Sequence, residues 1–103
     1  MTWTESMHPL DSSPTATSLA QVYLLDRDAG LLCRILGLYA ARGLDVLRVD
    51  YAYAAQHVMK LQVFVDSSDS HTAEVLRVLV DKASTLIGVL AATEEDRAER
   101  RAA

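Results

Sequence analysis

Asp26, Arg27 and Asp28 set two carboxylates and a guanidinium in consecutive positions, followed by Ala29-Gly30 and a leucine-rich stretch. A polar turn that opens a helix presents unpaired backbone N–H groups, the natural place for a small anionic ligand. Asp26 and Asp28 read either as a capping pair or as a general acid and base, and capping is the stronger reading. His8, His57 and His71 fall in a tail, a turn and a loop, with no carboxylate or nucleophile spaced to serve them. The lone Cys33 cannot form an internal disulfide, and its place within a helix predicts a buried, inert thiol. No Cys-x-x-Cys pair, glycine-rich phosphate loop or zinc-type His/Cys spacing occurs. The expectation is a chain without catalytic residues, metal or cofactor.

At 103 residues the chain has room for one core, and 50% hydrophobic residues suffice to pack it. Net charge is −4, and the cluster Arg97, Arg100 and Arg101 is diluted by Glu94, Glu95, Asp96 and Glu99, so no basic face for nucleic acid is expected. No apolar run approaches the roughly 20 residues of a membrane helix. Met1 to Ser18 lacks the basic start and apolar middle of a secretory signal, and a cytoplasmic location is expected.

Residues 1–18, rich in Ser and Thr and carrying Pro9 and Pro14, read as a disordered leader in which Trp3 and Met7 are candidates to dock on a partner. Residues 19–92 form the domain, and 93–103 a charged tail. Leu19 to Leu25 is apolar almost throughout, as in a central strand. In the following helix Leu32, Ile35, Leu36 and Tyr39 share a face, widened by Leu31 and Leu38; Asp28 caps its start and Gly43 stops it in left-handed geometry. Gly37 in mid-helix fits close approach of another backbone or chance alike.

From Leu44 to Ala54, Leu47, Val49, Tyr51 and Tyr53 alternate with Arg48, Asp50 and Ala52, and Val46 breaks the parity as a bulge would. Ala54 to His57 is a weakly encoded turn. Met59, Leu61, Val63 and Val65 then alternate with Lys60 and Gln62, while Phe64 on the polar side covers exposed sheet or meets a partner. A second helix spans about Ser70 to Thr85 with Ala73, Leu76, Leu79, Val80 and Ala83 as its buried stripe, and Leu86 to Ala92 is a short last strand. The order βαββαβ predicts an α+β, ferredoxin-like fold: a four-stranded antiparallel sheet with two helices on one face.

Asp26 to Val46 resembles the ACT domain, the amino-acid-sensing regulatory module, and within it the small regulatory subunit of acetolactate synthase. The residues that carry the likeness are Gly30, Cys33-Arg34-Ile35, Gly37-Leu38-Tyr39, Arg42-Gly43 and Asp45-Val46. More loosely it extends from Leu19 to about Ala91. The resemblance implies a homodimer paired edge to edge, with an effector amino acid between two chains. Arg27, Asp28, Ala29, Gly30 and Leu31 would supply one wall, and Asp45 of the second chain the other. The family often has Asn where this chain has Arg27 and Asp45. These two side chains therefore either clasp an amino acid through opposite charges or pair with each other across the dimer.

By this resemblance the chain is a non-catalytic subunit, sensing valine, leucine or isoleucine in branched-chain amino acid biosynthesis. It would bind the catalytic large subunit, to which the thiamine diphosphate, metal and flavin would belong. Phe64, Val75 and Val78 are the candidate contacts. The alternatives are a stand-alone ACT dimer that binds another amino acid or none, and an enzyme built on the same scaffold.

Overall fold

The computed structural model describes residues 18–95. Trp3 and Met7 lie outside them, with most of the expected leader and tail. The order is β1 (Ser18–Asp26), α1 (Ala29–Ala41), β2 (Val46–Ala55), β3 (Val58–Asp66), α2 (Thr72–Ala83) and β4 (Val89–Glu95). All neighbouring strands run antiparallel in the order β2-β3-β1-β4, giving the expected ferredoxin-like sheet. Strand alternation sends Tyr23 and Leu25 on β1, and Leu61, Val63 and Val65 on β3, toward the helices. There they meet Leu31, Ile35 and Tyr39 of α1 and Leu76, Leu79, Val80 and Ala83 of α2.

The helix ends form as their residues dictate. Gly43 takes φ +66, its N–H donates to the Ala40 C=O (3.1 Å), and the Leu44 N–H reaches back to the Tyr39 C=O (3.1 Å). This is a Schellman end, which needs a left-handed residue that glycine adopts without strain. The buried stripe of α1 is Leu31, Ile35 and Tyr39, with Leu32 and Leu36 half-buried at its flank. That rotation places Cys33 on the outer side of α1. The expected buried thiol is exposed. In α2, Thr72 replaces Ala73 in the stripe, and Ala73 is exposed.

Three further differences come from the sheet. Val49, Tyr51 and Tyr53 pair with Val63, Leu61 and Met59 on the helix side, but β2 is the edge strand and the helices do not reach across it. Val49 and Tyr53 therefore remain exposed, and Leu47 sits at a register shift between Val46 and Arg48. The β2–β3 turn is a tight one over Gln56 and His57, with His57 at φ +58, a region His enters more readily than most residues. The last strand begins at Val89 because Gly88, at φ +101, completes a turn.

One polar chain crosses this apolar core. The Tyr39 hydroxyl donates to Gln21 Oε1 (2.9 Å) and lies 2.6 Å from the Tyr23 hydroxyl. Since Tyr39 has spent its one proton on Gln21, Tyr23 is the donor to Tyr39. Burial pushes the Tyr23 hydroxyl up from 10.0 to about 12, with the Tyr39 hydrogen bond pulling back and Glu94 adding to the rise. Tyr39 is raised further, by burial first and by Tyr23 beside it.

Both tyrosines stay protonated in the folded state where the unfolded chain would ionise. Their contribution is complete below pH 10 and is lost as the pH rises from 10 toward 12 and beyond. Tyr39→Phe strands the Gln21 acceptor and the Tyr23 donor in the core. It should lower unfolding free energy by about 1–3 kcal/mol and flatten the alkaline slope, both read from urea midpoints across that pH range.

Two glycines should respond in opposite directions. A Cβ on Gly37 would meet nothing within 4 Å, so no backbone in the described fold requires this glycine. Gly37→Ala should stabilise by about 0.5–1 kcal/mol. A Cβ on Gly88 would stand 2.8 Å from Leu31 Cδ2, in a left-handed conformation besides. Gly88→Ala should cost about 1–3 kcal/mol, and thermal denaturation of the two variants checks both signs.

Candidate functional site

The turn between β1 and α1 is clamped from two sides. The Asp26 N–H donates to the Gly88 C=O (2.9 Å), and the Arg27 N–H donates to the His57 C=O (3.1 Å). The loop before β4 and the β2–β3 hairpin thus fix the chain where it leaves the sheet. Asp28 follows in extended geometry, φ −152 and ψ 112, and its Oδ1 accepts the Gly30 N–H at 2.9 Å. Its C=O accepts from Leu31 N–H (3.1 Å) and Leu32 N–H (3.2 Å). Asp28 is therefore the N-cap, as its position predicts.

Capping alters what the turn can hold. The Gly30 amide, expected to be open to a ligand carboxylate, is already satisfied by Asp28, and a second anion there meets a like charge. Arg27, Asp28, Ala29 and Gly30 are all exposed. The turn thus exposes one basic residue, Arg27, between two acidic ones, Asp26 and Asp28. Leu31 is fully buried and supports the turn from beneath, against Gly88.

Asp45 lies elsewhere. It sits beyond the far end of α1, where its C=O accepts the Asp66 N–H (3.1 Å), and its residue is exposed. A 13-residue helix separates it from the turn, roughly 20 Å of rise. One chain alone does not bring Asp45 to Arg27.

The remaining reactive residues stay apart. His57 and His71 are exposed in separate turns, and Cys33 is exposed on α1. Among the described residues no group of three His, Cys, Asp or Glu side chains is placed to hold a metal ion. No helix among them is long and apolar enough to cross a membrane. Of the apolar candidates for a partner contact, Val78 is exposed, while Phe64 and Val75 are half-buried. Sequence reasoning passed over Ile87 and Leu90, both exposed, because they fall within the stretch read as a strand. It also passed over Gly88, an isolated glycine in a strand-like run, which signals a bulge or a close approach.

Shallow grooves open away from the turn. One of about 450 Å³ follows α2 past His71, Glu74, Val75, Arg77 and Val78. Another, of about 410 Å³, lies by β2 and β3 at Arg48, Asp50, Lys60 and Gln62.

No family model matches the sequence, and no curated protein matches it. Solved structures do. The crystal structure of the ACT domain from GTP pyrophosphokinase of Chlorobium tepidum superposes with a TM-score of 0.61 at 13% identity, covering 76% of this chain and 96% of that one. The C-terminal domain of the MgtC protein from Mycobacterium tuberculosis gives a TM-score of 0.65 at 17% identity, with 82% and 93% covered. GqqA, described as a quorum quenching acylase, gives 0.51 at 15% identity, covering 87% of this chain but 48% of its own. At these identities the likeness is one of architecture alone. The chain has the βαββαβ fold seen in the ACT domain of GTP pyrophosphokinase.

Proposed function

We propose that this chain is a non-catalytic, amino-acid-sensing regulatory module of the ACT type, which pairs through its β2 edges and holds its effector at the β1–α1 turn. The observation that carries this reading is the clamped turn itself, with Arg27 and Asp28 exposed together beside the hairpin that ends the edge strand. Antiparallel pairing of two β2 edges would bring the Asp45 end of one chain toward the His57 and Arg27 end of the other. The site would then comprise Arg27, Asp28, Ala29 and Gly30 from one chain and Asp45 from its neighbour, over the buried Leu31. Arg27 would take the effector carboxylate, and Asp28 or the second chain's Asp45 its ammonium group.

The finer assignment follows from the resemblance of Asp26 to Val46. It makes the chain a cytoplasmic regulatory subunit of acetolactate synthase, acting on the catalytic large subunit by population shift, with valine, leucine or isoleucine as effector. A stand-alone dimer is the second reading, and the Asp28 cap favours it. With the Gly30 amide already satisfied, Arg27 and Asp45 can close the interface on each other with no ligand between them.

Calorimetric titration of the full chain with each branched-chain amino acid separates these readings. A sensor gives binding heat that Gly30→Asp abolishes, because the new carboxylate projects into the turn beside Asp28. Gly30 is exposed and has no left-handed backbone, so the variant should keep its circular dichroism. Unchanged affinity in the variant moves the site elsewhere. Capture of a thiamine-dependent synthase from native cells, with altered synthase activity on adding the chain, supports the subunit assignment; unchanged activity removes it.

A further inference from the structure

The two edges of the sheet are β2 and β4, and they differ in charge. Among the described residues β4 pairs on one side only, with β1, which leaves the outward main-chain groups of residues 91–95 unpaired. Register sets Ala92 beside Tyr23 and Glu94 beside Gln21, so both turn to the helix side. Ala91, Ala92 and Thr93 are small and leave room for another backbone. A groove of about 460 Å³ opens between Ala92 and α2, lined there by Arg77, Val78, Val80 and Asp81. Val78 is 61% exposed, and Leu90, left over at the register shift between β1 and β4, is 56% exposed. The start of the strand is fixed, because the Gly88 C=O just before it accepts the Asp26 N–H.

We propose that the β4 edge takes up an extended segment of a different protein as a fifth strand, one with an apolar and a basic side chain two residues apart. Main-chain hydrogen bonds to residues 91–95 supply the attachment, and alternate side chains supply the choice of partner. The apolar one stands across from Ala92 and fills the groove against Val78 and Val80. The basic one stands across from Glu94, which is exposed and has no hydrogen-bond or ion-pair partner among the described residues. Arg77 and Asp81, one turn apart on α2, carry opposite charges and so leave Glu94 as the uncompensated one. In antiparallel addition, matching the rest of the sheet, the segment reads basic-x-apolar from its N-terminal side.

Charge argues against the edge strands of a second copy as the occupant. β4 has no Lys or Arg, so β4 against β4 would gather Glu94 and Glu95 of both chains with no cation between them. β2, the other free edge, presents Val49, Tyr51 and Tyr53 on its helix side and no basic residue there. Adding β2 to β4 would also be a head-to-tail contact, which repeats without closing unless its rotation happens to form a ring. The β4 site is therefore separate from the β2 pairing of the proposed sensor, and neither requires the other.

Fluorescence anisotropy of a labelled peptide, acetyl-Thr-Lys-Thr-Val-Thr-Val-Ser-amide, with the full chain and no added amino acid, tests this. Saturable binding is expected. Glu94→Lys should weaken it roughly tenfold. Exchanging the peptide's Lys for Glu should restore binding to that variant, which excludes misfolding as the cause of the loss. Strand addition uses every second N–H of the peptide. N-methylation of one alternate set of its residues should therefore abolish binding, and methylation of the other set should leave it intact. No binding at millimolar peptide, indifference to Glu94→Lys, or an equal response to both methylation patterns overturns the proposal. Binding that appears only when residues 96–103 are removed makes that segment the occupant, and the proposal falls. A chain that gives heat with an amino acid but does not take up the peptide loses the β4 site alone and keeps the sensor.

Discussion

Tyr39 is the residue on which the geometry of α1 depends. Its hydroxyl joins the helix to β1 through Gln21 and Tyr23, and its C=O closes the Schellman end at Leu44. Leu31, two helical turns earlier, is pressed between the core and Gly88. The helix is thereby held at both ends, and the polar anchor fixes its rotation. An apolar stripe alone tolerates small rotations, whereas a hydrogen-bonded chain in a dry core tolerates almost none. This is why Leu31, Ile35 and Tyr39 face the sheet and Cys33 faces out. The cost is carried by Gln21, whose Nε2 finds no partner among the described groups.

Fixing α1 also fixes the turn before it. Asp26 and Arg27 are tied through backbone hydrogen bonds to Gly88 and His57, neither of which is near them in sequence. The turn is thus a rigid corner where three loops meet rather than a flexible link. Rigidity matters for a small ligand with two charged ends, because affinity is lost when the site must be ordered on binding. A corner held by main-chain bonds also tolerates change in its exposed side chains. Substitutions at the exposed Arg27 should therefore have little effect on the fold.

The order of elements and most strand faces were legible in the sequence because they follow from alternation and from helix ends that Asp28 and Gly43 mark. What was not legible depends on position in the sheet. Val49 and Tyr53 belong to the helix-facing side by periodicity, but periodicity does not say that β2 lies at an edge beyond the helices. Likewise Gln21 is a polar residue in an otherwise apolar strand, and its partner Tyr39 lies one crossover away. At the turn, the residue types suggested a place for an anion, and the Asp28 cap follows from the same types. Only coordinates show that the Asp28 carboxylate occupies the Gly30 amide. Asp45, which the resemblance assigns to a second chain, lies beyond the far end of α1 from the turn within one chain, a distance that the sequence spacing alone does not convey.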